Sequence, residues 1–146
     1  MIAKPFLKWA GGKSKILNNI VNVLPPDFEK KKMTYIEPFL GGGSIFFGLS
    51  QKFNNFDRII LNDINNDLVN CYLVIKNQVS ELKDILYFFQ NEYHKFSCED
   101  KKKEYYYSKR ILFNKRSSNI IEQAALFIFL NKTCFNGLYR VNKKNE

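Results

Sequence analysis

Three consecutive glycines, Gly41-Gly42-Gly43, stand between two apolar runs, Tyr35 to Leu40 and Ile45 to Leu49. A glycine run is costly inside a helix or a strand, so it predicts a bend between two elements. The short run before it reads as a strand and the run after it as a helix. Arg58 to Asn62 predicts a second strand that ends at Asp63, and Asn65 is placed to cap a helix reaching about Lys76. Residues 34–77 therefore read as strand, helix, strand, helix, the start of a parallel α/β sheet.

On either side the pattern is helical. Ile16, Leu17, Ile20, Val21 and Leu24 fall on one face of a helix over 13–24, which Pro25-Pro26 ends. Val79, Leu82, Leu86, Phe89, Tyr93 and Phe96 recur at steps of three and four and predict one long amphipathic helix. A basic helix is expected over about 100–116. A third runs from about Ile120 to Lys132, with Asn119 and Glu122 in capping-box-like positions. Asn136-Gly137 suggests a turn and Leu138 to Val141 a strand, with no second strand after it to complete a hairpin.

Composition narrows the class. No apolar run approaches the ~18 residues of a membrane span, and the N-terminus has no apolar stretch long enough for a signal peptide. Cys71, Cys98 and Cys134 are widely spaced, with no Cys-x-x-Cys pair, so neither a disulfide framework nor a metal site is indicated. A cytoplasmic protein with reduced thiols is expected. The net charge of +9 is uneven: +4 over residues 1–66, −3 over 67–100 and +8 over 101–146. A basic last third suits a phosphate-binding face, although a general richness in Lys and Asn would give the same count.

The strongest chemical signal is Glu37-Pro38-Phe39-Leu40-Gly41-Gly42-Gly43, with Asp63 following 20 residues after Gly43. Glycines at a strand-to-helix turn let a ligand approach the backbone, and a carboxylate at the next strand end can accept from both ribose hydroxyls. A pyrophosphate cradle is disfavoured, because Gly-x-Gly-x-x-Gly from Gly41 would need glycine where Phe46 stands. A nucleoside without phosphates still fits, as does a purely structural turn. Gly12-Lys13-Ser14 resembles the end of a P-loop, but the glycine required five positions before Gly12 is Leu7. Trp9 and Lys13 read either as a turn with a core tryptophan or as the wall of the same pocket, with Lys13 facing a ligand carboxylate. Leu24-Pro25-Pro26-Asp27 is a helix stop, and no other Pro-Pro pair exists in the chain. His94 and Tyr105-Tyr106-Tyr107 carry no assigned chemistry.

Taken together, these segments resemble a known family. Pro5-Phe6-Leu7-Lys8-Trp9-Ala10-Gly11-Gly12-Lys13 looks like the opening motif of the DNA adenine methyltransferases with a helical target-recognition insert. Ile36 to Ser44 looks like their cofactor loop, and Leu61-Asn62-Asp63-Ile64-Asn65 with Asn70-Cys71-Tyr72 resembles the segment that follows. Phe135 to Asn142 resembles the start of their DNA-reading hairpin. The likeness spans the whole chain and is strongest to members that methylate GATC.

The resemblance implies an α/β fold: residues 1–66 as the first part of a Rossmann-like S-adenosylmethionine-dependent methyltransferase domain with an incomplete sheet, and residues 67–146 as a helical DNA-recognition insert ending in an incomplete β-hairpin. It implies cofactor binding by Trp9, Lys13, Glu37, Phe39, Gly41, Gly43 and Asp63. It implies contact with double-stranded DNA through Lys8, Phe135, Asn136, Leu138 and Arg140, and it requires no metal. Family members are about twice as long and carry an Asp-Pro-Pro-Tyr motif that orients the flipped adenine. That motif is absent here, so no catalytic residue is assigned and the chain is expected to be inactive alone. Readings that remain are a fragment of a longer enzyme, half of a split enzyme whose second chain brings the motif, and a non-catalytic DNA-binding module.

Overall fold

The computed structural model describes residues 3–137. The chain divides into two compact units, Met1–Ile64 and Asn65–Glu146. The described residues are mixed α/β, with a small two-stranded parallel sheet and helices. Among the described residues, no helix is long and apolar enough to cross a membrane.

In the first unit a 3-10 turn, Ser14–Ile16, leads into α1 (Leu17–Asn22). The helix expected over 13–24 is thus shorter than its apolar periodicity suggested. Ile16 is exposed, so the first of its apolar positions finds no core to bury against. Strand β1 (Met33–Glu37), helix α2 (Ser44–Lys52) and strand β2 (Phe56–Leu61) follow. The strands are parallel, with Tyr35 beside Ile59, Ile36 beside Ile60 and Glu37 beside Leu61. β1 starts two residues before the expected Tyr35 and ends at Glu37 instead of Leu40, because Pro38 has no N–H to continue the ladder. Past the strand ends, Asn62 N–H donates to Glu37 O and Leu40 N–H donates to Asn62 O, both at 2.9 Å. These bonds carry the register into the glycine turn.

Asn55, buried at the entry to β2, ties the loop before β1 in place. Its Nδ2 donates to Phe28 O at 2.7 Å and to Lys31 O at 3.0 Å, and its backbone carbonyl accepts from Met33 N–H at 2.9 Å. Phe28 packs edge-on against Phe53 and Phe56 beneath that loop. Gly48 of α2 faces α1 so closely that a Cβ there would lie 2.3 Å from Leu17 Cδ2. A larger residue at this position would require the Leu17 side chain to move.

The second unit contains α3 (Asn66–Asn77), α4 (Val79–Lys95), α5 (Glu99–Lys115) and α6 (Ile120–Thr133). The caps explain the starts. Asn65 Oδ1 accepts from Leu68 N–H at 2.9 Å, and Asn119 Oδ1 accepts from Ile121 and Glu122 N–H at 3.0 and 2.9 Å. Helix α6 is apolar on nearly every side and packs against α3, α4 and α5, burying Ala124 through Phe129. Phe89, Tyr93 and Tyr105 meet Phe129 edge-on. Burial pushes the Tyr105 hydroxyl up to about 12, with Glu92 adding to the shift. Lys109 lies over the Phe89 ring at 4.2 Å and the Tyr105 ring at 5.0 Å, and burial there lowers its pKa. Arg116, in a left-handed conformation at the end of α5, makes a bidentate pair with Asp67 of α3.

Candidate functional site

The cleft is built at the C-terminal ends of β1 and β2, where the chain leaves the sheet. Trp9 to Lys13, Glu37, Phe39 to Gly42, Ser44, Ile45, Asp63 and Ile64 line it. Its volume is about 230 Å³. The turn holds its shape through two devices. Gly41 and Gly43 have φ of 52° and 75°, a backbone state that glycine alone adopts at little cost. The Asp63 carboxylate reaches back across the strand ends, and its Oδ2 accepts from Gly41 N–H at 2.8 Å.

Trp9 is seated against that turn. A Cβ at Gly41 would lie 2.9 Å from Trp9 Cδ1, and one at Gly42 would lie 3.3 Å from Trp9 Cβ. The indole therefore packs on bare backbone, and any larger side chain would displace it. Leu7 and Leu40 are buried and anchor the two segments from below. Glu37 is held from within the sheet: Tyr35 Oη donates to its Oε2 at 2.6 Å. Burial first, and the Glu37 carboxylate second, raise the Tyr35 pKa above its ordinary value, so the hydroxyl stays protonated and remains a donor.

Six of the seven residues expected around a nucleoside line this cleft: Trp9, Lys13, Glu37, Phe39, Gly41 and Asp63. Gly43 does not line it. It is the left-handed residue before α2, and its N–H donates to Leu40 O at 2.9 Å, so it shapes the turn from behind. Phe39 is 75% exposed and Ile64 92% exposed, so the rim carries two large apolar groups facing solvent. Reading the sequence for motifs missed the Tyr35–Glu37 bond and the Asp63–Gly41 bond. The first had a signal, since residues two apart in a strand share a face. The second joins a side chain to an amide 22 residues away, and no local pattern encodes it.

Of the residues expected to meet a duplex, Lys8 is exposed and does not line the cleft. Phe135 is 87% exposed after α6, in a 3-10 turn with Gly137, and Asn136 has φ of 59°. Gly137 O accepts from the buried Asn131 Nδ2 at 3.0 Å, which ties this turn to α6. Leu138 and Arg140, and the strand expected over Leu138 to Val141, lie outside the described residues.

A protein-family model described as D12 class N6 adenine-specific DNA methyltransferase matches residues 9–146. The chain belongs to this family. Among its relatives, the Type II methyltransferase M.MjaIII of Methanocaldococcus jannaschii is 49% identical over 149 residues, covering 100% of this chain and 51% of that protein. The DNA adenine methylase of Haemophilus influenzae is 40% identical over 98% of this chain and 45% of its own length. The DNA adenine methylase of Escherichia coli is 38% identical with the same coverage. The chain thus spans about half the length of these curated relatives.

Proposed function

We propose that this chain carries the cofactor cleft and the first DNA-entering residues of an S-adenosylmethionine-dependent DNA adenine-N6 methyltransferase with a Rossmann-like catalytic domain. The observation that carries the reading is the convergence of Trp9, Lys13, Glu37, Gly41 and Asp63 on one cleft at the strand ends, with Asp63 tied to the Gly41 amide. The donor set fits the cofactor. Asp63 accepts from ribose hydroxyls, Lys13 pairs with the amino-acid carboxylate, and the bare backbone at Gly41 admits close approach. S-adenosylmethionine supplies the methyl group when bound. At about 230 Å³ the cleft is smaller than the roughly 300–1,000 Å³ of pockets that enclose a whole ligand. It provides the wall and floor of a site whose cover comes from elsewhere.

On this reading the cleft residues of this chain bind and orient the cofactor. Adenine N6 is a weak nucleophile whose lone pair is delocalised into the ring, so alignment with the methyl donor is the main requirement. In related enzymes that alignment falls to an Asp-Pro-Pro-Tyr segment, and the Pro-Pro pair of this chain, Pro25-Pro26, follows α1. The reading therefore assigns residues 67–146 to target recognition. Phe135, Asn136, Leu138 and Arg140 enter or contact the duplex, Lys8 meets an outer base pair, and GATC is the proposed target. Methylation needs a second half, in the same or another chain. An Arg140 contact to a guanine edge would give the specific term.

Titration of S-adenosylmethionine against the fluorescence of Trp9, the sole tryptophan, tests the cofactor assignment. A saturable change is expected, weakened at least about tenfold in Asp63→Ala, which loses a carboxylate hydrogen bond to the ligand and the partner of Gly41. A flat titration in the unmodified chain would remove the assignment. A second reading, a DNA-binding module without catalysis, predicts salt-dependent duplex binding that ignores the cofactor. The retained cleft argues against it.

A further inference from the structure

Tyr35 and Glu37 lie two residues apart in β1, so their side chains leave the strand on one face. The Tyr35 ring is set among Phe46 at 6.2 Å and Phe56 at 5.3 Å, and its hydroxyl reaches Glu37 Oε2 at 2.6 Å. One oxygen of Glu37 is thereby committed to the sheet while the residue lines the cleft. The cleft contains three charged side chains, Lys13, Glu37 and Asp63. Asp63 already holds the turn through Gly41 and sits where the ribose is assigned. Lys13 supplies the positive charge for a carboxylate. A zwitterionic amino-acid end also needs an anion for its ammonium group, and Glu37 is the carboxylate that remains.

We propose that Tyr35 is a positioning residue for the cofactor cleft, holding Glu37 so that its second oxygen receives the α-ammonium group of the bound cofactor. The inference rests on the cofactor reading above and goes beyond it by naming what aims Glu37. A carboxylate on a flexible two-carbon stem loses rotamer freedom when it binds, and a fixed hydrogen bond from the strand removes part of that loss in advance. Raised above its usual range by burial and by Glu37, the Tyr35 hydroxyl stays a donor throughout the neutral and moderately alkaline range.

The test compares two ligands by calorimetry on the unmodified chain, Tyr35→Phe, Glu37→Gln and the double variant. S-adenosylhomocysteine carries the amino-acid end, and 5′-methylthioadenosine lacks it. Tyr35→Phe keeps the ring and its packing, so the sheet is preserved. Affinity for S-adenosylhomocysteine is expected to fall about fivefold in Tyr35→Phe, the effect of one hydrogen bond. Affinity for 5′-methylthioadenosine should be unchanged, and the double variant should be no weaker than Glu37→Gln alone. An equal loss on both ligands would assign Tyr35 to general packing and overturn the proposal. So would no loss on either, or additive losses in the double variant. If the unmodified chain binds neither ligand, the cofactor reading fails first and the inference with it. Binding by the unmodified chain with an unselective Tyr35→Phe sinks the inference alone.

Discussion

The two units are held together by different means. In Asn65–Glu146 a single apolar helix, α6, runs through a ring of partners, and Leu68, Cys71, Val74, Ala124, Ala125 and Leu126 are fully buried. In Met1–Ile64 the buried apolar groups among the described residues are Leu7, Leu40, Ile45 and Leu49, while Ile36 and Ile59 of the two strands stay exposed. Its order comes instead from directional bonds: Asn55 to the loop before β1, Asn62 to both strand ends, and Asp63 to Gly41. A two-stranded parallel sheet has two open edges and is weak by itself. The comparison teaches that a binding cleft can be shaped by hydrogen bonds and glycine geometry where the packed core is small, whereas a helical unit needs little beyond periodic apolar burial.

The largest test of this contrast is Phe127→Ala, at the centre of the second unit. Removing a fully buried phenylalanine is expected to cost about 3–5 kcal/mol, seen as a large drop in the midpoint of the helical circular-dichroism transition. Trp9 lies in the first unit, so its fluorescence reports that unit separately. If both signals shift by the same amount, the distinction between the units breaks. The next test is Gly48→Ala in the first unit. The added methyl would meet Leu17 at 2.3 Å, and the net cost, after the better helix propensity of alanine, is expected to be about 1–2 kcal/mol. The change should appear in the Trp9 transition. An unchanged or raised midpoint would show that α1 yields freely.

The smallest expected effect is the part of the second unit's pH dependence that Tyr105 contributes. Tyr105 titrates at about 12 when folded against 10.0 for its ordinary value, so the folded state holds the proton more tightly. Its contribution is fully present below pH 10 and is lost as the pH rises from there through about 12. Tyr105→Phe should flatten the alkaline loss of helical signal in that window. An unaltered alkaline limb in the variant would assign the loss to other groups.

The two units also differ in how much of their structure is legible in the sequence. Helices α3 to α6 were legible nearly to the residue, because 3.6-residue periodicity and the caps at Asn65 and Asn119 are local signals. In the first unit the parallel strand–helix–strand order was legible, but the limits of β1 and α1 were not. Pairing with β2 and the arrest at Pro38 set the limits of β1, and the core available decides where α1 begins. Of the six cleft-lining residues, Trp9, Lys13, Gly41 and Asp63 could be named from the glycine run, the motif at Trp9 and the spacing of Asp63, and Glu37 and Phe39 only from the family resemblance. Their mutual bonds could not, since a carboxylate capturing an amide 22 positions away leaves no trace in local pattern.

That same bond has a spectroscopic consequence. A turn amide whose proton rests on a carboxylate oxygen resonates downfield of its neighbours and exchanges slowly with deuterated solvent, although it belongs to no helix or strand. Gly41 is therefore a native reporter built into the cleft. Anything that draws the Asp63 carboxylate toward itself alters the magnetic surroundings of this one proton. With nitrogen-15 glycine, the occupancy of the site becomes readable from a single peak, without a dye, a labelled ligand or a catalysed reaction.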